Sequence, residues 1–147
     1  MTVYHGTTKK AAQSIKAQGL KPNLADSFRL IRDDGQPITL HAWAYVTPDK
    51  KMAESFARFR TAYERARYGA EVNWGKFSSN LPSSEQAKMV KLSKKRQASA
   101  VPAVVELELP DTWESRFLPD PSGPDDEGLV TPDVIPAQYV SSVEVLQ

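Results

Sequence analysis

The apolar residues at the start of the chain form a short run that ends in a histidine and a glycine, in the sequence VYHGT. We interpret Met1–His5 as a strand. Two alanines and an isoleucine then recur at helical spacing in AAQSI, which predicts a short helix. Thr7 or Thr8 is suited to begin this helix and Gly19 to end it, because threonine accepts a hydrogen bond from the first turn and glycine tolerates a left-handed conformation.

A second strand and helix are predicted after a loop at residues 23–39. The aromatic segment LHAWAYV, Leu40–Val46, has the composition of a strand. Thr-Pro-Asp follows it, with a capping residue, a proline at the first helical position and an acid in the first turn. The spacing then predicts one face of a helix that ends near Tyr68 or Gly69. The apolar residues of that face are Met52, Phe56, Phe59 and Tyr63.

The rest of the chain is predicted to contain one further helix and three strands. The helix is predicted at Glu85–Arg96 and the strands at Val101–Leu109, Glu127–Thr131 and Val140–Leu146. The segment LPDPSGPDDE, with its three prolines and one glycine, is predicted to be a long loop. Helices and strands do not alternate along the chain, so we expect an α+β fold rather than an α/β fold, in a single domain covering residues 1–147.

Composition excludes several kinds of chemistry. The chain has no cysteine, which removes disulfides, thiolate zinc sites and a cysteine nucleophile, and its two histidines do not favour a histidine-rich metal site. The net charge is +1, but bases are concentrated in the middle of the chain and acids in its last third. The sequence shows neither a signal-peptide pattern nor an apolar stretch of membrane-spanning length, so we expect a cytoplasmic protein with no membrane partner.

Three positions are candidates for binding or catalysis. Gly6 ends a strand where its backbone can meet a ligand, and His5 beside it offers ring nitrogens. Tyr45 ends the aromatic strand and can stack on a flat ring. Glu127 stands where an acidic loop becomes a strand, and its carboxylate can stabilise a developing cation. Each also has a plainer interpretation: a turn glycine with an exposed histidine, a core tyrosine like Trp43, and one more solvated acid.

A basic segment, KMVKLSKKR, lies within the predicted third helix. It is either a contact for phosphate or for an acidic partner, or simply a solvated helix face. Its basic residues are Lys88, Lys91, Lys94, Lys95 and Arg96. The sequence contains neither the glycine-rich nucleotide motifs nor the zinc-protease and serine-hydrolase motifs GxGxxG, GxxxxGK[ST], HExxH and GxSxG.

The order of these pieces resembles the ADP-ribosyltransferase superfamily, in particular its His-Tyr-Glu branch of diphtheria-toxin-like and poly(ADP-ribose)-polymerase-like enzymes. The matching stretches are YHGT with the following AAxxIxxxGL, then YVTPDKKMAESFA, and finally EGLVTPDVIPAQYV. The likeness spans Val3 to Val140. It implies a split, strongly bent, mixed or antiparallel sheet with flanking helices, and a cleft that binds NAD as a consumed substrate without a metal.

The resemblance also implies a role for each matching residue. His5 would contact a ribose hydroxyl on the adenosine side, and Gly6 would offer its backbone to the nicotinamide carboxamide. Tyr45 would stack on the nicotinamide ring. Glu127 would stabilise the ribosyl cation as nicotinamide leaves. The remaining NAD-binding positions implied by the match are Thr7 and Phe56, the latter as a second aromatic residue on the helix after the tyrosine strand.

One position departs from the pattern of the arginine-specific branch, and the catalytic position can be aligned in two ways. The arginine-specific branch carries Glu or Gln two residues before the catalytic Glu, where this chain has Asp125, so arginine-specific transfer is not expected. A second alignment places Gln138 in the catalytic position, which would give a weak or altered enzyme; we favour Glu127, at a predicted strand start facing a long loop.

The favoured function is mono-ADP-ribosyl transfer from NAD to a macromolecular acceptor, protein or nucleic acid, with the basic segment helping to select it. A bacterial or phage toxin or effector, acting as a monomer in the cytoplasm, fits a domain of this size. The alternatives are an NAD glycohydrolase toxin, an RNA 2′-phosphotransferase-like enzyme, and an inactive binding module of the same fold. The phosphotransferase normally has a second histidine where this chain has Tyr45.

Overall fold

A computed structural model describes residues 1–23, 42–77, 80–119 and 128–147. Within them the chain forms three α-helices: α1 at Lys9–Gln18, α2 at Lys50–Phe77 and α3 at Ser83–Ser99. It also forms six strands: β1 at Thr2–Thr8, β2 at Ala44–Val46, β3 at Pro102–Glu108, β4 at Leu118–Pro119, β5 at Leu129–Thr131 and β6 at Val140–Val145. Two short 3₁₀ helices lie at Asp111–Arg116 and Ala137–Tyr139.

The described strands form two small antiparallel sheets. One has the order β1-β3-β6 and the other has the order β2-β5-β4. The two sheets approach each other at one point, where Tyr4 in β1 and Thr47 just after β2 form an isolated antiparallel bridge. The chain is therefore a mixed α+β protein, as expected from the order of its predicted elements.

Helices pack on both faces of the β1-β3-β6 sheet, because successive side chains of a strand point to opposite faces. On one face, Val3 joins the larger hydrophobic core, to which α1 contributes Ala12 and Ile15. On the other face, Tyr4 packs with Ala53 and Ala57 of α2. This second face is referred to below as the α2 face of the sheet.

The ends of α1 confirm the prediction from the sequence. The hydroxyl of Thr8 accepts a hydrogen bond from the amide of Ala11. Gly19 closes the helix in a left-handed conformation, with φ of 86°, and donates its amide hydrogen to the carbonyl of Ile15. Both signals are local, since they depend on neighbouring residues and on the backbone preference of one glycine.

The length of α2 was predicted wrongly. The helix does not end at Tyr68 or Gly69 but continues to Phe77. A Cβ at Gly69 would come within 3.0 Å of the Gln97 side chain, and one at Gly75 within 3.0 Å of the Val90 side chain. Gly75 therefore serves close packing between α2 and α3, which form an antiparallel helical hairpin. Gly69, interpreted as a stop signal, lies within the helix, and its nearest neighbour is the flexible end of the Gln97 side chain.

Other boundaries also differ from the prediction. Strand β2 covers only the end of the predicted Leu40–Val46, whose first residues lie outside the described part of the chain. Strand β4 occupies the first residues of the segment predicted as a loop, and its other residues, 120–127, lie outside the described part. The 3₁₀ helix Asp111–Arg116 was not predicted. Its aromatic residue Trp113 packs into the core beside Phe117 and Tyr139.

Candidate functional site

The junction between the two sheets lies beside His5 and Gly6. The amide of Tyr4 donates to the carbonyl of Thr47 at 2.8 Å, and the amide of Thr47 donates to the carbonyl of Tyr4 at 2.9 Å. In an antiparallel ladder the next pair of this kind lies two residues further along each strand. That pair would be Gly6 with Tyr45. The described chain does not form it, so the sheets separate at this point.

His5 occupies the place where the ladder stops. Its Nδ1 lies 2.7 Å from the carbonyl oxygen of Tyr45. A carbonyl only accepts hydrogen bonds, so Nδ1 carries the proton and, in the neutral ring, Nε2 is the acceptor. The imidazole thus bonds to the carbonyl that Gly6 would meet in a continuous sheet. This contact sets the tautomer of the ring.

The backbone of Gly6 faces the gap between the sheets. Val3, His5 and Thr7 exchange hydrogen bonds with β3, since Met1 and Lys9 in the same register also bond toward that side. The amide and carbonyl of Gly6 therefore point to the opposite edge of β1, toward β2. Among the described residues none pairs with them on that edge. A donor and an acceptor lie side by side there, ready to bind a flat amide.

Helix packing, rather than access for a ligand, explains why residue 6 is glycine. A Cβ at Gly6 would overlap the carbonyl oxygen of Ala53 and lie 2.8 Å from the amide nitrogen of Ala57. The first turns of α2 thus press directly on the Cα of Gly6. The sequence-based interpretation assigned the glycine to ligand approach, and the structure supplies this different reason. The result is that the α2 turn containing Ala53 and Ala57 adjoins the gap.

The two aromatic candidates lie on the same side of this gap. Ala44 and Val46 pack in the larger core, so the Tyr45 side chain between them points to the opposite, α2 face. Tyr45 is half-buried and its hydroxyl oxygen is shielded from solvent. Phe56 precedes Ala57, which touches Gly6, and its side chain is 41% exposed. The structure therefore brings Gly6, Tyr45 and Phe56 to one face of the junction, while the His5 ring, which alternation places on the other face of β1, bonds to the Tyr45 carbonyl at the same point.

The other predicted NAD-binding and catalytic residues are placed differently. Thr7 is buried, and its side chain lies on the face of β1 opposite to that of Gly6. Gln138 is exposed in the 3₁₀ helix before β6, which is separated from β1 by β3. It pairs with nothing at the junction and is not part of this group. Glu127 lies outside the described residues. The described chain resumes at Gly128, and Leu129 pairs with Val46.

The predicted acceptor contacts are remote from the junction. Lys88, Lys91, Lys94, Lys95 and Arg96 are all exposed on α3. Helix α3 packs on the distal part of α2, through contacts such as those at Gly69 and Gly75. The first turns of α2, at Ala53 and Ala57, are the ones that reach the sheet. The basic residues and the junction are therefore separate surfaces joined by one helix.

Two contributions to the site were not recognised in the sequence. Thr47 was interpreted only as a helix start, but its backbone also joins the two sheets, and its hydroxyl accepts a hydrogen bond from the amide of Asp49. Ala53 and Ala57 form the surface on which Gly6 rests. Their small size and spacing of one helical turn were a detectable signal for close packing against a backbone.

No protein-family model, curated protein or solved structure matches this chain. Within the described ranges, no group of three or more acidic or histidine side chains is arranged to hold a metal ion. No helix in the described part of the chain is long and apolar enough to cross a membrane. The function is therefore argued from the geometry of the junction and from the sequence motifs that form it.

Proposed function

We propose that this chain is an NAD-dependent ADP-ribosyltransferase of the His-Tyr-Glu type, which transfers ADP-ribose to a macromolecular acceptor and releases nicotinamide. The observation that carries the proposal is the open edge at Gly6. There a backbone donor and acceptor face a gap, and the His5 ring occupies the Tyr45 carbonyl across it. The motif resemblance independently assigns NAD binding to these same residues.

The gap suits a carboxamide on a flat ring. A carboxamide can accept a hydrogen bond from the Gly6 amide and donate one to the Gly6 carbonyl, as a neighbouring strand would. Tyr45 and Phe56, on the same face of the junction, offer aromatic surfaces for the nicotinamide ring. The Nε2 of His5 can accept a hydrogen bond from a ribose hydroxyl, because Nδ1 is committed to Tyr45.

The reaction requires that NAD is held in place and that a negative charge stabilises the positive charge that develops on the ribose. The bond between C1′ of the ribose and the ring nitrogen breaks, and its electron pair neutralises the positive pyridinium, so nicotinamide leaves as a neutral molecule. The ribose passes through a state with oxocarbenium character, which a carboxylate stabilises. The acceptor then bonds to C1′ and loses a proton. Glu127 is the carboxylate that we assign to this role.

Hydrolysis of NAD is the second candidate, with water as the acceptor, and the same residues would serve it. Tyr45 in place of a histidine disfavours the RNA 2′-phosphotransferase reaction. A binding module without activity would keep the junction and its affinity for NAD but release no nicotinamide. Transfer, hydrolysis and binding without reaction differ in their products, so one assay distinguishes them.

The test is to incubate the purified chain with NAD and measure free nicotinamide, with and without a cell lysate. Release that requires lysate, together with label transferred from the adenosine part of NAD to macromolecules, supports transfer. Release in buffer alone indicates hydrolysis. Binding without release indicates a module. Neither binding nor release under any of these conditions would refute the proposal.

A matched pair of small ligands tests the Gly6 edge directly. Benzamide carries the ring and the carboxamide of nicotinamide, whereas benzoate has the same shape with a carboxylate that cannot donate to the Gly6 carbonyl. We expect benzamide to bind and to compete with NAD, and benzoate to bind at least about tenfold more weakly. Equal affinity for the two would remove Gly6 from the site.

A further inference from the structure

The tip of the α2–α3 hairpin carries a second surface that the proposed NAD site does not use. A groove of about 550 Å³ lies between the end of α2 and the first half of α3. It is lined by Gly75, Lys76, Ser83, Gln86, Ala87, Val90, Lys91 and Lys94. Its charged residues are therefore all lysines, two from α3 and one from α2.

The lysines around this groove form no ion pairs with acids in the described part of the chain. Lys76, Lys91 and Lys94 are all exposed. From Lys76 to Arg96 the sequence has one acid, Glu85. Lys88 and Lys95 extend the positive charge along the outer face of α3, over about 10 Å of helix. Such a row attracts a polyanion.

Exposed aromatic rings lie at the same tip. Phe77 is 83% exposed and Trp74 is 53% exposed, and they are separated by roughly one helical turn of α2. They flank Lys76 of the groove in sequence and lie outside the groove lining, on the neighbouring surface of the α2 end. Flat exposed rings beside a row of cations are the combination that binds single-stranded nucleic acid, through stacking on bases and attraction to phosphates. An acidic peptide would satisfy the lysines but would supply no bases to stack.

We propose that this surface binds single-stranded nucleic acid, with phosphates along Lys76, Lys91 and Lys94 and bases stacked on Trp74 and Phe77. Ser83 lies in the groove and provides a hydroxyl for the backbone of the strand. The recognition is independent of base identity, because neither lysines nor stacking rings read base edges.

Binding is tested by fluorescence anisotropy with labelled single-stranded DNA and RNA of about 15 nucleotides, a length that spans a typical site. We expect micromolar affinity at low salt, and weaker binding to a duplex of equal length and to polyglutamate. Absence of binding to any single strand overturns the proposal. Polyglutamate binding as tightly as the oligonucleotides would identify an acidic protein as the partner instead.

Charge removal identifies the surface. In Lys91→Ala/Lys94→Ala the slope of the logarithm of affinity against the logarithm of salt concentration should fall by about 1.4, since each phosphate contact to a single strand contributes about 0.7. The matched control, Lys10→Ala/Lys16→Ala, removes the same charge from exposed positions on α1. An equal change in both variants would show that net charge, and not this groove, governs binding.

Stacking of bases on the aromatic rings is tested with the same anisotropy measurement. Phe77→Ala should weaken binding at least about fivefold, whereas Leu92→Ala, which removes an exposed apolar side chain of α3 without a flat ring, should not. If Phe77→Ala binds normally, the rings are not part of the site. All four variants of the two experiments change exposed residues, so circular dichroism is expected to show unchanged folding.

The use of the bound strand as the ADP-ribose acceptor rests on the proposed function, but the binding itself does not. Ala57, beside the junction, and Gly75, in the groove, lie on one helix about 27 Å apart along its axis. A stacked strand needs about eight nucleotides to span this distance. Labelling from NAD should therefore begin only with oligonucleotides longer than this. Binding without labelling excludes the strand as the ADP-ribose acceptor and retains the groove, and labelling without binding retains the transferase and refutes the groove.

Discussion

The imidazole Nδ1 of His5 lies 2.7 Å from the carbonyl oxygen of Tyr45, across the point where the two sheets of the protein separate. One residue further along β1, Gly6 faces the same gap with its amide and carbonyl. The His5 side chain therefore bonds to the carbonyl that Gly6 would meet in a continuous ladder. The amide and carbonyl of Gly6 have no strand partner on that edge among the described residues. The junction is held at one side by the Tyr4–Thr47 pair.

Two substitutions of His5 separate its bond to the Tyr45 carbonyl from the contact that its outer ring nitrogen offers to a ligand. Asparagine can place an amide nitrogen near the position of Nδ1, so His5→Asn should keep the bond to Tyr45 while losing the outer ring nitrogen. His5→Ala should lose both. We expect both to weaken NAD binding at least about tenfold, and only His5→Ala to lower the free energy of unfolding, by about 1–3 kcal/mol.

Hydrogen exchange gives an independent readout for His5→Ala. With the Tyr45 carbonyl released, Gly6 can complete the ladder, and its amide should exchange more slowly than in the natural chain. Normal NAD affinity in both variants would remove His5 from the binding site.

Gly6→Ala should be strongly destabilising. The added methyl group meets backbone atoms of Ala53 and Ala57, which cannot move without displacing α2. We expect a loss of about 1–3 kcal/mol or more in the free energy of unfolding, measured by urea denaturation. Gly69→Ala is the matched control, because its Cβ meets only the flexible end of Gln97 and alanine favours a helix by up to about 1 kcal/mol. Equal loss in both would contradict the packing described for Gly6.

Glu127→Gln should lower the rate of nicotinamide release by about 10²–10³, since the charge that stabilises the ribosyl cation is lost while the shape is kept. NAD affinity should change little. Asp126→Asn, at the neighbouring acid, and Gln138→Ala, at the alternative position, serve as controls and should retain activity. A Gln138→Ala variant that loses activity while Glu127→Gln keeps it would reverse the catalytic assignment.

Phe56→Ala should weaken the binding of benzamide about two- to twelvefold, the usual contribution of one aromatic contact. Phe59→Ala removes the same side chain from an exposed position further along α2 and away from Gly6, and should leave affinity within about twofold. Isothermal titration calorimetry measures both. If the two variants behave alike, the effect arises from the helix surface in general and Phe56 has no specific role.

Lys50 offers a test at alkaline pH. The hydrogen bond from its ammonium to Glu144, at 2.8 Å, and the attraction between their charges raise the pKa of Lys50 above its ordinary value of 10.5. The stabilisation is therefore complete below pH 10.5 and is lost as the pH rises through the folded-state pKa. Glu144→Gln should reduce stability at neutral pH and make no difference once Lys50 is deprotonated. Unfolding curves of the natural chain and the Glu144→Gln variant, at neutral pH and at a pH above the folded-state pKa of Lys50, measure this difference in stability.

Local signals in the sequence predicted the first strand and the α1 caps well, but they placed the start of α2 too early: the helix begins at Lys50, and Asp49, predicted in its first turn, precedes it and accepts a hydrogen bond from the amide of Lys51. Thr8 and Gly19 act on their immediate neighbours, so their effect is visible without the fold. Gly69 misled because α2 continues through it to Phe77, where the helix packs against α3, and this packing is not visible in the local sequence. Strand β4 could not be foreseen, since a Leu-Pro pair becomes a strand only by pairing with β5.

The candidate site was predictable in its residues but not in its construction. His5, Gly6 and Tyr45 were identified from motif order, and the structure brings them together. The bond between His5 and a backbone carbonyl could not be inferred, because nothing in a sequence states which carbonyl a side chain will reach. The catalytic role of Glu127 stays a prediction.

The contact between Gly6 and α2 has a consequence for how related sequences should be interpreted. Because folding already demands glycine here, a descendant that had lost its chemistry would still keep this residue. Gly6 would then mark ancestry and not activity. His5, whose place could be taken by a residue that merely caps the carbonyl, is the better indicator of whether a relative keeps the proposed NAD site.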